Sequence, residues 1–521
     1  MLDFLIKDGL VADGSGSDSL MLNVGISGDT IVCIGSDEPP SDKIVDASGL
    51  IVSPGFIDTH THSEFTLLAD GRAEGRLSQG VTTEINGNCG LSAAPLYGEA
   101  FERRETDLKE LDITERWHTF WEYFALLRMK GIAVNFATLC GHGNIRGSVV
   151  GYKNDRADDS QLSAMNNLLD EAMKAGARGL STGLIYPPGV FSTTGELIAL
   201  SRIAAESGGL YASHMRSEGD ALIESIEEAI RIGKEAGTAV HISHLKTAGE
   251  RNWHKVDSAI DAIETARSFG LRVTCDRYPY IASSTDLDTV LPVWVYEGGY
   301  DDELARLKDP ETRAKIKLEI GNKDEQYWKG IHVSSTVNAG NAWMEGLSIA
   351  DIASKMGKSP FDALIEILID ERVRTGAIFF SMSEDNLKRF LSLPYAMIGS
   401  DSSVRSFSGV TCKGKPHPRG FGSFPRVIGK YVREEGLLGL GEAIRRMTSL
   451  PASTFGLKQR GLIKEGFFAD ITVFDYQKIA DKATFSEPFQ KAEGIVHVFV
   501  NGIPAMKYGG FTGNRAGRVL L

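Results

Sequence analysis

The 521-residue chain is poor in cysteine, in tryptophan and in long hydrophobic runs. Its five cysteines are Cys33, Cys89, Cys140, Cys275 and Cys412, an odd number too small for a disulfide framework and typical of a reducing compartment. No run approaches the ~18 apolar residues that a membrane span requires, and the N-terminus lacks the features of a signal peptide. We therefore expect a cytoplasmic protein with no membrane partner.

Positive charge is scarce relative to negative charge. The chain has 56 Lys and Arg against 69 Asp and Glu, which gives a formal net charge of −13. Because nucleic acids and anionic membranes bind basic surfaces, this balance argues against both as partners. The apolar content of 42% and the 57 glycines are typical of a globular enzyme with many tight turns.

Strand and helix patterns divide the chain into two parts. Short strand-like runs, separated by Gly, Asp and Ser turns, occupy residues 1–53 and return in residues 455–521. We expect these two segments to build one small β-sandwich domain together. In residues 54–454, strand-like runs alternate with helical periodicity, which indicates βαβ units and a parallel sheet.

The middle part contains eight strand candidates, most of which end at polar side chains. The ends lie near His60, Asn88, Cys140, Thr182, His214, His244, Asp276 and Asp401. Eight such units predict a (β/α)8 TIM barrel, whose active sites lie at the C-terminal ends of the strands. The seventh and eighth strands are far apart, and residues from about 285 to 345 predict an inserted subdomain over the barrel mouth.

Several strand ends carry side chains of the types that bind zinc in proteins. In the segment GFIDTHTH at 55–62, His60 and His62 are two residues apart, so an extended strand aims both imidazoles to one side. Further candidates of the thiolate, imidazole and carboxylate classes follow other strands: Cys89, His214, His244 and Asp401. Each could be structural by itself, and Cys89 could be a buried apolar thiol. Together they suffice for one tight zinc site and a weaker second one.

Further motifs make the chain resemble a known family. The segments PGFIDTHTH at 54–62 and GFFADITVFD at 466–475 resemble the amidohydrolase superfamily. The match is closest to its D-aminoacylase (N-acyl-D-amino-acid deacylase) branch, through GNCG at 87–90, HMRSE at 214–218, HISHLK at 241–246, and HPR at 417–419 with GSFPR at 422–426. The resemblance covers the chain from Leu2 to about Gly509.

The resemblance implies a zinc-dependent hydrolase that cleaves N-acyl-D-amino acids to a carboxylate and a free D-amino acid. Many relatives bridge two metals with a carbamylated lysine after the fourth strand, but residues 179–186, GLSTGLIY, contain no lysine. The resemblance gives that role to Cys89. It implies a tight zinc on Cys89, His214 and His244, and a weaker second site on His60, His62 and Asp401.

The remaining roles concern proton transfer and substrate binding. Asp401, at the last strand end, is expected to serve as general base and then general acid, the alternative being a ligand only. The resemblance implies that Tyr186 faces the site, as a second donor to the carbonyl oxygen; the alternative is an aromatic lid over the barrel rim. By the resemblance Arg419 grips the substrate α-carboxylate, and Lys246 either shares that charge or forms a rim salt bridge.

Other aspects of the substrate stay open. Tyr278 and Ser284 could supply hydroxyls to the carboxylate, and Tyr280 is nearly as good a candidate as Tyr278. An alternative substrate is a cyclic amide such as a hydantoin or a dihydropyrimidine, although the missing fourth-strand lysine argues against it; another N-acyl amino acid or a dipeptide is also open. An acidic substrate would need a further cation, for which the insertion offers Arg306, Lys308 and Arg313, residues more typical of a solvated helix face.

Overall fold

The two ends of the chain pair in one nine-stranded sheet of the computed structural model, which describes residues 1–521. Its strands are β1 (Leu2–Val11), β2 (Leu20–Ser27), β3 (Thr30–Gly35), β4 (Ser41–Asp46), β5 (Ile51–Pro54), β18 (Ile471–Phe474), β19 (Ile495–Val500), β20 (Ile503–Lys507) and β21 (Gly510–Phe511). The ends join where β5 pairs antiparallel with β18, with Val52 opposite Val473. The expected sharing of one β domain by both ends is confirmed.

This sheet folds into two layers around a core of its own. Strand β1 shifts register between Ile6 and Gly9, pairs with β4 through its first half and pairs with β5 through its last two residues. The rings of Phe4 in β1 and Phe499 in β19 meet edge-on, with centroids 5.3 Å apart, although the two strands are not neighbours. Face-to-face packing of this kind defines a β-sandwich.

Eight parallel strands form a closed barrel between the terminal segments. They are β6 (Phe56–Asp58), β7 (Val81–Asn86), β8 (Asn135–Thr138) continued by β9 (Cys140–Gly141), β10 (Gly179–Gly183), β11 (Leu210–His214), β12 (Val240–Ile242), β13 (Val273–Arg277) and β17 (Ala396–Ile398). The ring closes between β6 and β17, where the Thr59 hydroxyl donates to the Ile398 carbonyl at 3.0 Å. The predicted TIM barrel is confirmed, and each strand ends within three residues of its predicted end.

Eighteen α-helices cover these sheets. They are α1 (Glu64–Ala69), α2 (Glu74–Leu77), α3 (Gly98–Glu110), α4 (Phe120–Lys130), α5 (His142–Val149), α6 (Asp159–Ala175), α7 (Thr194–Glu206), α8 (Leu222–Ala236), α9 (Val256–Ser268), α10 (Tyr300–Lys308), α11 (Pro310–Ile320), α12 (Glu325–Lys329), α13 (Ile349–Met356), α14 (Pro360–Asp370), α15 (Glu384–Ser392), α16 (Arg419–Arg426), α17 (Leu440–Met447) and α18 (Ser449–Thr454). Helix α8 is typical of those around the barrel, because Leu222, Ile226 and Ala229 recur at three to four residues and are buried. No helix is both long enough and apolar enough to cross a membrane.

An insertion interrupts the barrel between β13 and β17. Its three-stranded antiparallel sheet has the order β14 (Ala282–Asp286), β16 (Gly376–Phe380) and β15 (Ile331–Ser335). The insertion has its own hydrophobic core, which extends from Leu287 to Ala377. The structure therefore carries it beyond residue 345, because α13 and α14 pack on this sheet rather than on the barrel. Strand β14 lines the cavity at the barrel mouth.

Candidate active site

Five of the six expected metal ligands form one cluster at the C-terminal end of the barrel. The His60 Nε2 atom lies 3.2 Å from the Cys89 sulfur and 3.5 Å from Asp401 Oδ1, and the Cys89 sulfur lies 3.4 Å from His244 Nε2. One ligand atom from each of these four residues lies within 4.8 Å of the others. His62 joins through Nε2, which lies 3.2 Å from Asp401 Oδ1.

The sixth expected ligand, His214, lies against this cluster. Its ring packs at 83° to that of His244, with centroids 4.4 Å apart. Both ring nitrogens of His214 are buried and lack a hydrogen-bond partner, which is costly for polar atoms inside a protein. Imidazole, thiolate and carboxylate are the ligand types that zinc prefers, so the residues present fit this metal.

Three of these residues have unusual backbone conformations at the strand ends. The φ angles of Cys89, His244 and Asp401 are 52°, 37° and 52°, in the left-handed region. For residues other than glycine this conformation costs about 1–3 kcal/mol each, and it persists only where the surroundings enforce it. The hydrogen bond from the Asp401 amide to the His60 carbonyl, 2.8 Å long, is one such restraint. Strain is thus concentrated where the side chains converge.

The fourth strand ends without a side chain, and this leaves room for the Cys89 loop. A Cβ atom at Gly183, the last residue of β10, would lie 2.0 Å from the Cys89 carbonyl oxygen. Any side chain at this strand end is therefore incompatible with the observed path of the loop. The fourth strand therefore contributes no ligand, and the loop that carries the Cys89 thiol occupies the space beside its end.

Electrostatics favour ionised ligands and a protonated tyrosine. Burial acts to raise the pKa of Asp401, but Arg419 and His60 hold it well below its usual value. Burial likewise acts to raise the pKa of the Cys89 thiol, but the neighbouring imidazoles hold it well below its usual value. Burial, followed by the charge of Cys89, raises the pKa of Tyr186 above its usual value, so that its O–H remains a donor.

One buried carboxylate behind the cluster was not singled out from the sequence. Asp276 Oδ2 lies 3.1 Å from His60 Nδ1 and 2.7 Å from His241 Nε2, and Oδ1 accepts the His244 amide at 2.9 Å. A proton on His60 Nδ1 leaves the Nε2 lone pair facing Cys89, as a metal ligand requires. Asp276 also lies at the end of a barrel strand. The rule that predicted the metal ligands from the strand ends could therefore have predicted Asp276 as well.

A second such carboxylate is Glu218, in the HMRSE motif. Its Oε1 lies 2.8 Å from His244 Nδ1 and accepts a hydrogen bond from the Lys246 ammonium. The Lys246 Nζ atom is in turn 2.8 Å from His244 Nδ1. Lys246 is thus fixed beside the metal cluster rather than on the outer rim. Glu218 follows His214 by one helical turn in sequence but lies in a loop, so periodicity gave no signal for it.

The expected substrate residues line a cavity of about 910 Å³ that opens onto the cluster. Arg419 binds Asp401 Oδ2 through Nη1 at 2.9 Å and donates from Nη2 to the Ser284 carbonyl at 3.1 Å. The Tyr278 ring lies below this guanidinium, 4.6 Å from it, and the Tyr278 hydroxyl is buried without a partner. Tyr280 instead donates to Asp481 at 3.3 Å and lies outside the cavity lining, so the geometry favours Tyr278.

Tyr186 also faces this cavity. Its hydroxyl lies 2.9 Å from the hydroxyl of Thr285, and its ring packs edge-on against His214 with centroids 5.0 Å apart. The contact to Thr285 brings the insertion to the edge of the metal cluster. The sequence gave no sign of it, because Thr285 belongs to a strand of the inserted sheet. All residues expected at the site are therefore brought together, while their roles stay predictions.

Comparison with known proteins agrees with this geometry. The family model described as "Amidohydrolase family" matches residues 43–505. The chain is 37% identical to a D-aminoacylase of Alcaligenes xylosoxydans xylosoxydans, over 99% of this chain and 97% of that protein. It is 35% identical to an N-acyl-D-glutamate deacylase of the same organism, over 96% of this chain and 93% of that protein.

A solved structure matches equally well. The crystal structure of N-acyl-D-glutamate deacylase from Bordetella bronchiseptica, complexed with zinc and a phosphonate inhibitor that mimics the tetrahedral intermediate, has a TM-score of 0.85 and 34% identity. The match covers 100% of this chain and 99% of that chain. The resemblance found in the sequence motifs is confirmed: the chain belongs to the amidohydrolase family, in the branch that contains the D-aminoacylases.

Proposed function

We propose that this protein is a zinc-dependent hydrolase that cleaves the amide bond of N-acyl-D-amino acids, giving a carboxylate and a free D-amino acid. The observation that carries the proposal is the Cys89 thiol, which meets the imidazoles of His60 and His244 beside a fourth strand that ends in Gly183. The full-length similarity to D-aminoacylase and to a zinc-bound deacylase supports the same reaction.

The ligand set divides between a tight site and a weaker one. The tight site takes Cys89, His214 and His244, and the weaker one takes His60, His62 and Asp401. Zinc, when bound, polarises the acyl carbonyl and lowers the pKa of water toward neutrality. The unpartnered nitrogens of His214 and the depressed pKa of the Cys89 thiol support this assignment.

Proton transfer belongs to Asp401. Because the pKa of Asp401 is depressed, its carboxylate starts ionised and accepts the proton of the attacking water. It then delivers that proton to the leaving amine. Tyr186 keeps its hydroxyl proton and donates it in a hydrogen bond to the carbonyl oxygen, where negative charge develops in the transition state.

The substrate α-carboxylate is bound next to these groups. Arg419 offers a planar fork of donors, and the buried, unpartnered hydroxyl of Tyr278 lies beside it. Lys246 adds a second positive charge, and Ser284 adds a hydroxyl from the inserted sheet. This set favours a linear substrate with a free carboxylate over a cyclic amide.

Five unpaired cysteines support a cytoplasmic location.

The test is a panel of N-acetyl-D- and N-acetyl-L-amino acids assayed with the zinc-loaded enzyme. We expect turnover of the D-series, loss of activity with a chelator and recovery with added zinc. Asp401→Ala should lower kcat by about 10²–10⁴-fold, since general acid–base catalysis contributes that much. Glu227→Gln, at an exposed carboxylate of α8, is the matched control and should retain full activity. Turnover restricted to the L-series, or wild-type rates in Asp401→Ala, would contradict the proposal.

A further inference from the structure

The active-site cavity continues beyond the metal cluster into a region lined by charged side chains. One wall of this charged lobe comes from the barrel, through α3, and the opposite wall comes from the insertion. The charged residues are Arg103, Arg104, Asp107 and Glu110 on the barrel side and Asp286, Asp288, Glu303 and Arg374 on the insertion side. Their balance determines which substrate groups the lobe accepts.

Two arginines and two carboxylates of the lobe form ion pairs with each other. Arg104 Nη1 lies 2.7 Å from Asp107 Oδ2. Arg374 Nη2 lies 2.7 Å from Asp107 Oδ1 and 3.0 Å from Glu110 Oε2. These two guanidinium groups and two carboxylates thus compensate each other.

The insertion wall has three carboxylates without an ion-pair partner. None of its three carboxylates, Asp286, Asp288 and Glu303, has a Lys or Arg nitrogen within 4.0 Å. Glu303 is only 2% exposed, and one buried oxygen of Glu303 and one of Asp288 accept no hydrogen bond. The remaining arginine of the lobe is Arg103, whose guanidinium is stacked between the rings of Tyr152 and Tyr300, 3.9 and 4.0 Å from their centroids. The lobe therefore holds three arginines against five carboxylates, and two of those arginines are already paired.

The titration behaviour of this wall is consistent with that deficit. Enclosure by the cavity walls and the charge of Asp107 raise the pKa of Asp286 to about 6. Burial raises the pKa of Glu303 to about 8 in spite of Arg103. Burial and the charge of Asp286 also raise the pKa of Asp288 well above its usual value. A positive charge placed between these groups would stabilise the ionised form of all three carboxyl groups.

Asp286 is the member of the wall that a bound substrate can reach. It is exposed to the cavity and ends β14, directly after Ser284 and Thr285. The Ser284 carbonyl binds Arg419 and the Thr285 hydroxyl binds Tyr186, so the strand runs from the reaction centre into the lobe. Two residues of extended strand span about 7 Å, a distance that a four-carbon side chain can bridge.

We propose that the charged lobe binds a cationic side chain of the substrate, with Asp286 as the residue that recognises it. The inference rests on the proposed function and narrows it to N-acyl-D-amino acids that carry an ammonium or guanidinium group. Such a group supplies both the missing charge and the missing hydrogen-bond donors. An acidic side chain would add negative charge next to Asp286, and an alkyl chain would leave the buried acceptors unsatisfied.

The experiment compares three N-acetyl-D-amino acids with the zinc-loaded enzyme: lysine, norleucine, which has the same chain without the ammonium, and glutamate. We expect kcat/KM for the lysine derivative to exceed that for norleucine by at least about tenfold, and glutamate to be the poorest substrate. Asp286→Asn should reduce the lysine-to-norleucine ratio by at least about tenfold. Glu311→Gln, at an exposed carboxylate of the insertion, should leave the ratio unchanged.

The outcomes separate the two proposals. Turnover of norleucine with no preference for lysine would overturn the cationic lobe and leave the proposed function standing. A lysine preference that Asp286→Asn does not reduce would remove Asp286 from the recognition. If no N-acetyl-D-amino acid were hydrolysed, the proposed function would be overturned, and the narrower inference with it.

Discussion

Asp276→Asn tests whether the buried carboxylate behind the metal cluster controls zinc binding. Asp276 contacts no predicted substrate group and accepts three hydrogen bonds. Its Oδ2 accepts hydrogen bonds from His60 Nδ1 at 3.1 Å and from His241 Nε2 at 2.7 Å, and its Oδ1 accepts one from the His244 amide at 2.9 Å. Asparagine has nearly the same shape but only one acceptor oxygen, so the substitution changes hydrogen bonding without opening a cavity.

The magnitude follows from which bonds asparagine can keep. If its oxygen stays with the His244 amide, its NH₂ group opposes the N–H groups of His60 and His241. His60 must then accept at Nδ1 and carry its proton on Nε2, the atom 3.2 Å from the Cys89 sulfur. A ligand in that tautomer cannot bind metal until it is rearranged. We expect zinc affinity at the weaker site, to which His60 belongs, to fall about 10–100-fold, which corresponds to about 1.4–2.7 kcal/mol and is the usual effect of losing such a partner.

The assay is a zinc competition titration against a chromophoric chelator, with circular dichroism to verify folding. Asp257→Asn is the matched control, because Asp257 is an exposed carboxylate that pairs with Arg389 at the surface. The control should bind zinc like the wild type. If Asp276→Asn folded and kept wild-type zinc affinity and kcat/KM, the tautomer of His60 would not be set by Asp276, and the reasoning would be refuted.

Three further tests concern buried charges. Glu218→Gln should lower kcat/KM about 10–100-fold, and in a double-mutant cycle with Lys246→Met the effects should be less than additive; strict additivity would show that the two residues do not act together. Arg76→Met leaves two fully buried carboxylates without their guanidinium, so the free energy of unfolding should fall by about 3–5 kcal/mol in urea titrations, and an unchanged midpoint would contradict this. Glu303 has a folded-state pKa of about 8 against 4.5 ordinarily, so the folded state retains a proton that the unfolded chain releases, and stability falls as pH rises between these values. Glu303→Gln should remove this fall and stabilise the protein at pH 8 by on the order of 2 kcal/mol relative to the wild type; a stability difference that does not grow between pH 5 and pH 8 would argue against it.

The barrel and its ligands could be predicted because their signals are local. A buried parallel strand is a short apolar run, and a polar residue directly after it must lie on the same rim as the others. His60, His62, His214, His244 and Asp401 all follow this rule, and they meet in the structure. The rule needs no knowledge of how the helices pack, since closing the sheet brings the strand ends together.

The extent of the insertion could not be predicted by the same means. Helices α13 and α14 have the apolar periodicity of any helix that covers a sheet, and Ile349, Ile352 and Leu364 are buried accordingly. Periodicity reports that one face is buried, but it does not report which core receives that face. In the structure this core is that of the three-stranded sheet, so the inserted unit is longer than its charged, tryptophan-containing part suggested.

Substrate chemistry was the least predictable property, for a reason that the charged lobe illustrates. The sequence offered Arg306, Lys308 and Arg313 as cations of the insertion, but none of them lines the cavity, and Arg306 donates to backbone carbonyls instead. Two of the cations that do line it, Arg103 and Arg104, belong to α3, a barrel helix that begins 12 residues after its strand β7 ends. Arg104 is paired with Asp107, and Arg103 is stacked between two tyrosine rings. The preference of the lobe depends on what stays unpaired after such contacts form, a quantity that only the folded arrangement defines.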